Sequence, residues 1–160
     1  MLHWFFMKAK TIALVAHDNL KASMGEWAAF NWGELAKHHL ICTGTTGRIV
    51  ETALRSAMQT HADPRPIRIT KLRSGPLGGD QQLGALIAEG KIDVLIFFWD
   101  PMQQQPHDVD IKALLRLAVL YNIPTASNRS TADFIISSPL YSKDYVRTVT
   151  DYSEYLNRKV

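Results

Sequence analysis

The sequence contains a single cysteine, Cys42, and no grouping of Cys and His at the spacing of a zinc site. An internal disulfide is excluded, and redox and structural-metal readings fall away with it. Long apolar runs are missing too. The longest, Val94-Leu95-Ile96-Phe97-Phe98-Trp99, stops at Asp100, far short of the roughly 20 residues that cross a bilayer. The stretch Leu2-His3-Trp4-Phe5-Phe6-Met7 is interrupted by His3, is too short for a signal h-region and lacks a small-residue cleavage site. It reads as a leader strand or ragged terminus, with Met7 available as an alternative start. The protein is therefore expected to be soluble and cytoplasmic, without a membrane partner. Charge of one sign is scarce as well: the net charge is +3, and Lys and Arg do not cluster beyond a loose set at Arg65, Arg68, Lys71 and Arg73. Nucleic acid is thus not an expected partner, although a modest positive excess suits a small anion.

What is present is a core. A chain of 160 residues, 46% hydrophobic, suits one globular domain. Thr11-Ile12-Ala13-Leu14-Val15-Ala16 is a short continuous apolar run, the pattern of a strand buried on both faces, and a helix-length segment follows it. The cycle repeats at His39–Cys42 with a helix from about Arg48 to Met58, and at Pro66–Thr70 with a helix from about Asp80 to Glu89. It repeats again at Asp93–Phe98 with a helix from Val109 to Tyr121, and at Pro124–Ala126 with a helix near Thr131 to Ser137. Five strands alternating with helices predict a doubly wound three-layer α/β sandwich around a mostly parallel five-stranded sheet. Gln59 to Arg65 reads as a surface insertion, and the tail after Pro139 shows no clear strand. Ligands of such folds bind beyond the carboxyl ends of the strands, so the polar turns there matter most.

Four turns stand out. His17-Asp18-Asn19-Leu20-Lys21 offers an imidazole, a carboxylate and an ammonium within five residues, with helix capping by Asp18 or Asn19 as the plainer account. Thr43-Gly44-Thr45-Thr46-Gly47 combines close backbone approach, hydroxyl donors and a helix start, which together describe a phosphate cradle. It lacks the Lys-Ser/Thr ending of a P-loop, so a nucleoside triphosphate with magnesium is not indicated. Ser74-Gly75-Pro76-Leu77-Gly78-Gly79-Asp80 fixes an unusual backbone path before an acid. Asp80 either caps the helix it opens or serves as a base whose pKa the helix terminus lowers, an effect that desolvation can offset. Trp99-Asp100-Pro101 leads to Pro106-His107-Asp108-Val109-Asp110, where Asp108 reads as an N-cap and Asp110 as a first-turn acid. His107 is placed to polarise a carbonyl or shuttle a proton.

Together these turns, in this order and joined by Gly84-Ala85-Leu86-Ile87 and Lys112–Ala118, closely resemble the methylglyoxal synthase family from about Ile12 to Ser138. The resemblance implies a single domain over residues 1–160, with the leader 1–9 and tail 139–160 poorly matched and a longer connection from Arg48 to Leu72. It implies conversion of dihydroxyacetone phosphate into methylglyoxal and inorganic phosphate with no metal or organic cofactor. Asp80 would be the proton-abstracting base, and His107 would hydrogen-bond the substrate's oxygens with His17 nearby. Lys21, Thr45, Thr46, Ser74 and Gly75 would hold the phosphate, with Thr43 and Gly44 shaping that loop, and Asp18 and Asp110 would be supporting carboxylates. A homohexamer inhibited by phosphate is expected.

The proton to be removed lies α to a carbonyl, so the site needs a base on one side and a donor to the developing enediolate oxygen on the other. Loss of phosphate then requires its C–O bond perpendicular to the enediolate plane, which makes the phosphate grip a stereochemical control. An effector-binding module like those of carbamoyl-phosphate synthetase is the rival from another class. A triose phosphate isomerase barrel would need about 250 residues.

Overall fold

The computed structural model describes residues 8–158, so the leader expected at Leu2–Met7 lies outside the described residues. Five strands form one sheet: β1 (Thr11–Ala16), β2 (His39–Cys42), β3 (Arg68–Lys71), β4 (Val94–Phe98) and β5 (Thr125–Ala126). Their spatial order is β3-β2-β1-β4-β5. Every pairing is parallel, including both edges, where the sequence suggests only a mostly parallel sheet. β1 sits at the centre because its residues are apolar on both faces: Ile12, Leu14 and Ala16 enter one core, Ala13 and Val15 the other.

The first layer holds α1 (Lys21–Phe30), α2 (Trp32–Leu35), α3 (Gly44–Thr60) and α6 (Arg129–Ser137), contributing Met24, Trp27, Leu35, Val50, Leu54 and Ala132 to the core. The second holds α4 (Gly79–Ala88) and α5 (Asp108–Leu120), with Leu83, Ile87, Ile111, Leu114 and Ala118 inward at helical spacing. The chain steps outward from β1 to β2 and β3, then crosses back so that β4 flanks β1 on its other side. That reversal opens a crevice at the carboxyl ends of β1 and β4, where doubly wound sheets bind ligands.

Helix starts differ from the sequence reading where the functional turns are themselves helical. α3 begins at Gly44, not Arg48, because the Gly/Thr cradle forms its first turn. His107, not Asp108, occupies the N-cap position of α5, and the Asp108 carboxylate pairs instead with Lys112 at 3.0 Å. α6 starts at Arg129, capped by the Asn128 side chain, which accepts a hydrogen bond from the Thr131 N–H at 2.9 Å. The surface insertion begins after α3 at His61, and Arg65 folds back over the Trp32 ring at 4.9 Å. Among its described residues the tail adds no strand, only the short α7 (Ser153–Leu156). It is tied to residues that precede β1 and β5: Lys10 Nζ donates to the Lys143 carbonyl at 2.7 Å and Asn122 Nδ2 to the Thr148 carbonyl at 2.9 Å. Among the described residues no helix is long and apolar enough to cross a membrane.

Candidate active site

A cavity of about 230 Å³ opens at the carboxyl ends of β1, β2 and β4. The four turns singled out by sequence converge on it: His17, Asp18 and Lys21 from the first, Thr43 to Thr46 from the second, Ser74, Gly75 and Asp80 from the third, His107 from the fourth. Asp110 is the exception. It stays outside the lining and reaches the site as a negative charge that pushes the Asp80 pKa up.

Asp80 is the chemically unusual member. It is 4% exposed, and its Oδ2 has no hydrogen-bond partner among the described residues. The capping alternative fails, since α4 has no side-chain cap and Gly78, at φ 97°, occupies the cap position. Burial, the largest influence, raises the carboxyl pKa above its ordinary value. His107 and His17 pull it down and Asp110 pushes it up. Desolvation, the offset anticipated from sequence, is thus the leading influence on this carboxyl. His107 Nε2 stands 3.4 Å from Oδ2, and its Nδ1 is buried without a partner.

His17 is fixed in one tautomer. Its Nδ1 accepts the Asp100 backbone N–H at 3.1 Å, so in the neutral ring the proton sits on Nε2, which is buried and unpartnered. Burial also lowers its pKa below 6.5, which makes the neutral ring the resting form at neutral pH. The result is an uncharged N–H donor without an acceptor among the described residues. Phe97 holds the ring edge-on, 5.1 Å between centroids. Asp100 in turn is anchored by Asn19 Nδ2, which donates to its Oδ2 at 2.9 Å.

Glycine is needed at two of these places for lack of room. A Cβ on Gly75 would lie 2.8 Å from His107 Nε2 and 2.9 Å from Asp80 Oδ2, so only a bare backbone fits beside both groups. Gly44, at φ 39°, would carry its Cβ 2.8 Å from the Ser74 backbone, which is how the second and third turns come together. The Gly44 N–H is spent on the Leu72 and Arg73 carbonyls at 3.2 and 3.1 Å. That leaves the N–H groups of Thr45 and Thr46, in the unpaired first turn of α3, as anion donors. Thr43 and Thr46 are buried beneath them, and the Thr46 hydroxyl contacts the Ala16 carbonyl only at 3.5 Å. The partly exposed Lys21 side chain forms an ion pair with Asp18, whose carboxylate is 80% exposed. That pairing holds the Asp18 pKa down. Asp18 lines the cavity beside His17, which adds a smaller pull in the same direction.

Gln105 lines the same cavity and escaped the sequence reading. It is one of three successive glutamines in a loop with no periodicity, and only the fold shows which of them turns inward. Among the described residues no group of His, Cys, Asp and Glu gathers that could hold a metal ion. Cys42 is buried, and desolvation pushes its thiol up to about 12, so it is inert.

The MGS-like domain family model matches residues 31–127, which include the second, third and fourth turns. Methylglyoxal synthase of Maridesulfovibrio salexigens is 58% identical, over 96% of this chain and 99% of that one. The Photorhabdus laumondii protein of the same name is 51% identical, over 95% and 93% of the two chains. The crystal structure of methylglyoxal synthase from Elizabethkingia anophelis superposes with a TM-score of 0.82 at 48% identity, covering 95% of this chain and 93% of that one. With relatives at this identity along nearly its whole length, and a site assembled from all four of its distinctive turns, the chain belongs to the methylglyoxal synthase family.

Proposed function

We propose that the chain converts dihydroxyacetone phosphate into methylglyoxal and inorganic phosphate, with Asp80 as the base. The observation that carries this reading is a buried, unpartnered carboxylate beside His107, facing a cavity whose other wall is an anion cradle. A raised pKa makes Asp80 a stronger base than an exposed carboxylate while leaving an unpaired lone pair to receive the proton.

The phosphate is held by Lys21, by the Thr45 and Thr46 N–H groups and hydroxyls, and by Ser74 and the Gly75 backbone, with Thr43 and Gly44 shaping the loop. Asp80 removes a proton from the hydroxymethyl carbon, and the electron pair moves through the new C=C bond onto the carbonyl oxygen. The His17 Nε2–H donates to that oxygen. As a neutral donor it stabilises the enediolate without quenching it by full proton transfer. His107 takes the hydroxyl proton of the intermediate. The electrons released form the aldehyde C=O, shift the double bond and expel phosphate. The enolate left behind gains a proton at its terminal carbon and becomes the methyl ketone. Asp18 and Asp110 act at one remove, Asp18 by positioning Lys21 and Asp110 by raising the Asp80 pKa. Anion neutralisation falls to Lys21 and backbone dipoles, so the reaction is expected to proceed without added metal.

Purified protein treated with EDTA and mixed with dihydroxyacetone phosphate should release methylglyoxal and phosphate in equal amounts. Binding without turnover would leave the effector-module reading standing. The protein is further taken to be a cytoplasmic homohexamer inhibited by phosphate. Phe30 and Phe134, 84% and 80% exposed on neighbouring helices of one layer, support subunit packing there. Sedimentation, and initial rates at increasing phosphate, test the two statements.

A further inference from the structure

A second cavity, of about 260 Å³, lies at the opposite end of the sheet, where β1, β4 and β5 begin. It is lined by Ala9, Val94 and Pro124 at the strand starts and by the tail segment that follows α6. Ile135, Leu140, Tyr141 and Tyr145 supply its apolar lining. Arg147 lines it as well. Its side chain is only 17% exposed. Among the described residues it makes one hydrogen bond, from Nε to the Tyr121 carbonyl at 3.1 Å. Asp93 Oδ1 forms a long ion pair with Nη1 at 3.9 Å, beyond hydrogen-bond range. The other oxygen of Asp93, Oδ2, accepts the Thr11 N–H at 2.8 Å. The four Nη N–H groups therefore make no hydrogen bond among the described residues and stay within reach of solvent, so a bound acceptor would replace water there.

We propose that this cavity binds a small carboxylate with an apolar body, its carboxylate forked by Arg147 and its body against Ile135, Leu140 and the two tyrosine rings. The planar fork matches a carboxylate geometrically. Lys8 and Lys10 also line the opening, against Asp93 and Asp144, leaving a positive balance of one with Arg147 counted. The size is selective. A dry cavity of about 150 Å³ accommodates benzene, so this one admits a ring with a short acid side chain. Phosphate satisfies the guanidinium but leaves the apolar lining wet. β1 spans six residues, about 20 Å, so this cavity is separate from the catalytic one and can be filled while that one is occupied.

The probe is 3-phenylpropionate, titrated calorimetrically into the intact protein with inorganic phosphate saturating the catalytic cavity. One saturable site per chain is expected, in the millimolar range or tighter, together with a rise in melting temperature. The uncharged 3-phenylpropionamide should bind at least about ten-fold more weakly, because the amide forfeits the charge-assisted fork. Arg147→Gln should abolish the preference for acid over amide, and Leu140→Trp, which fills the cavity without touching Arg147, should abolish binding of both. No saturable binding by about 20 mM, equal affinity for acid and amide in the unmutated protein, or displacement of the probe by higher phosphate would overturn the assignment. The acid and amide comparison requires no variant and is independent of turnover, so it stands or falls apart from the catalytic reading.

Discussion

Replacing Asp80 by Asn separates two quantities that usually fall together. In the folded protein the carboxylate is almost fully buried, and its Oδ2 accepts no hydrogen bond among the described residues. Its pKa is raised by burial, so the native state holds the proton more tightly than the unfolded chain, where the value is near 3.9. Stability contributed by the protonated form is complete below that unfolded value and is lost as pH rises through the folded pKa; above it the ionised group is a constant burden. An asparagine of the same shape carries no charge into the cavity and can donate its amide N–H toward His107 Nε2, now 3.4 Å from Oδ2. A buried polar atom left unpaired costs about 1–3 kcal/mol, and the amide recovers part of it. A gain of about 1 kcal/mol at pH 7.5, or about 2–4 °C in melting temperature for a chain of this size, is the expected outcome. The same substitution removes the base, and turnover should fall by about 10²–10⁴. Melting curves at several pH values decide the matter. The advantage of Asp80→Asn should shrink as pH drops and Asp80 itself takes up its proton. An Asn variant less stable at pH 7.5, or a gap that ignores pH, would refute the electrostatic account even if activity were lost.

Gly75→Ala places a methyl group against both His107 and Asp80 and should lower kcat at least about 100-fold, as expected when a catalytic group is misplaced, while near-UV circular dichroism stays native. Lys21→Ala should raise KM for the substrate by about 10-fold or more through a lost charged hydrogen bond. Asp18→Asn should raise it far less, since its partner pairing is largely solvent-exposed. His17 should appear in ¹⁵N NMR as the neutral Nε2–H tautomer at pH 6.5, its pKa being lowered by burial, and His17→Ala should cost about 10²–10³ in kcat. An imidazolium signal at that pH would remove His17 from the donor role.

How much of this was legible in the sequence follows from how local each signal is. β1 and β4 announce themselves because a strand buried on both faces must be apolar throughout. β3, at the sheet edge, presents Arg68, Thr70 and Lys71 outward and shows far less. The turns are legible as residue types, and the resemblance to a known family ordered them. Their geometry is another matter. The alternation of strands and helices left the order of the strands open, and it is the crossing from β3 to β4 that brings Asp100 within reach of His17 and so selects a tautomer. Gln105 carries no signal in a run of glutamines.

Asp80 shows where local reasoning misleads. Read along the chain, an acid at the second position of a helix belongs to the positive end of a dipole, and its pKa should fall. In space, the left-handed Gly78 takes the cap position, Gly79 presses so close to Arg73 that a Cβ there would lie 2.0 Å from its carbonyl oxygen, and Gly75 admits the carboxylate beside His107. The side chain makes no cap hydrogen bond to the helix N–H groups and is buried beside His107. The glycines that make the turn look like a phosphate loop thus serve a second purpose, keeping the base buried. The stability burden at Asp80 and its basicity have one cause, so any substitution in this turn that gives Oδ2 a hydrogen-bond donor should stabilise the fold and slow the enzyme together.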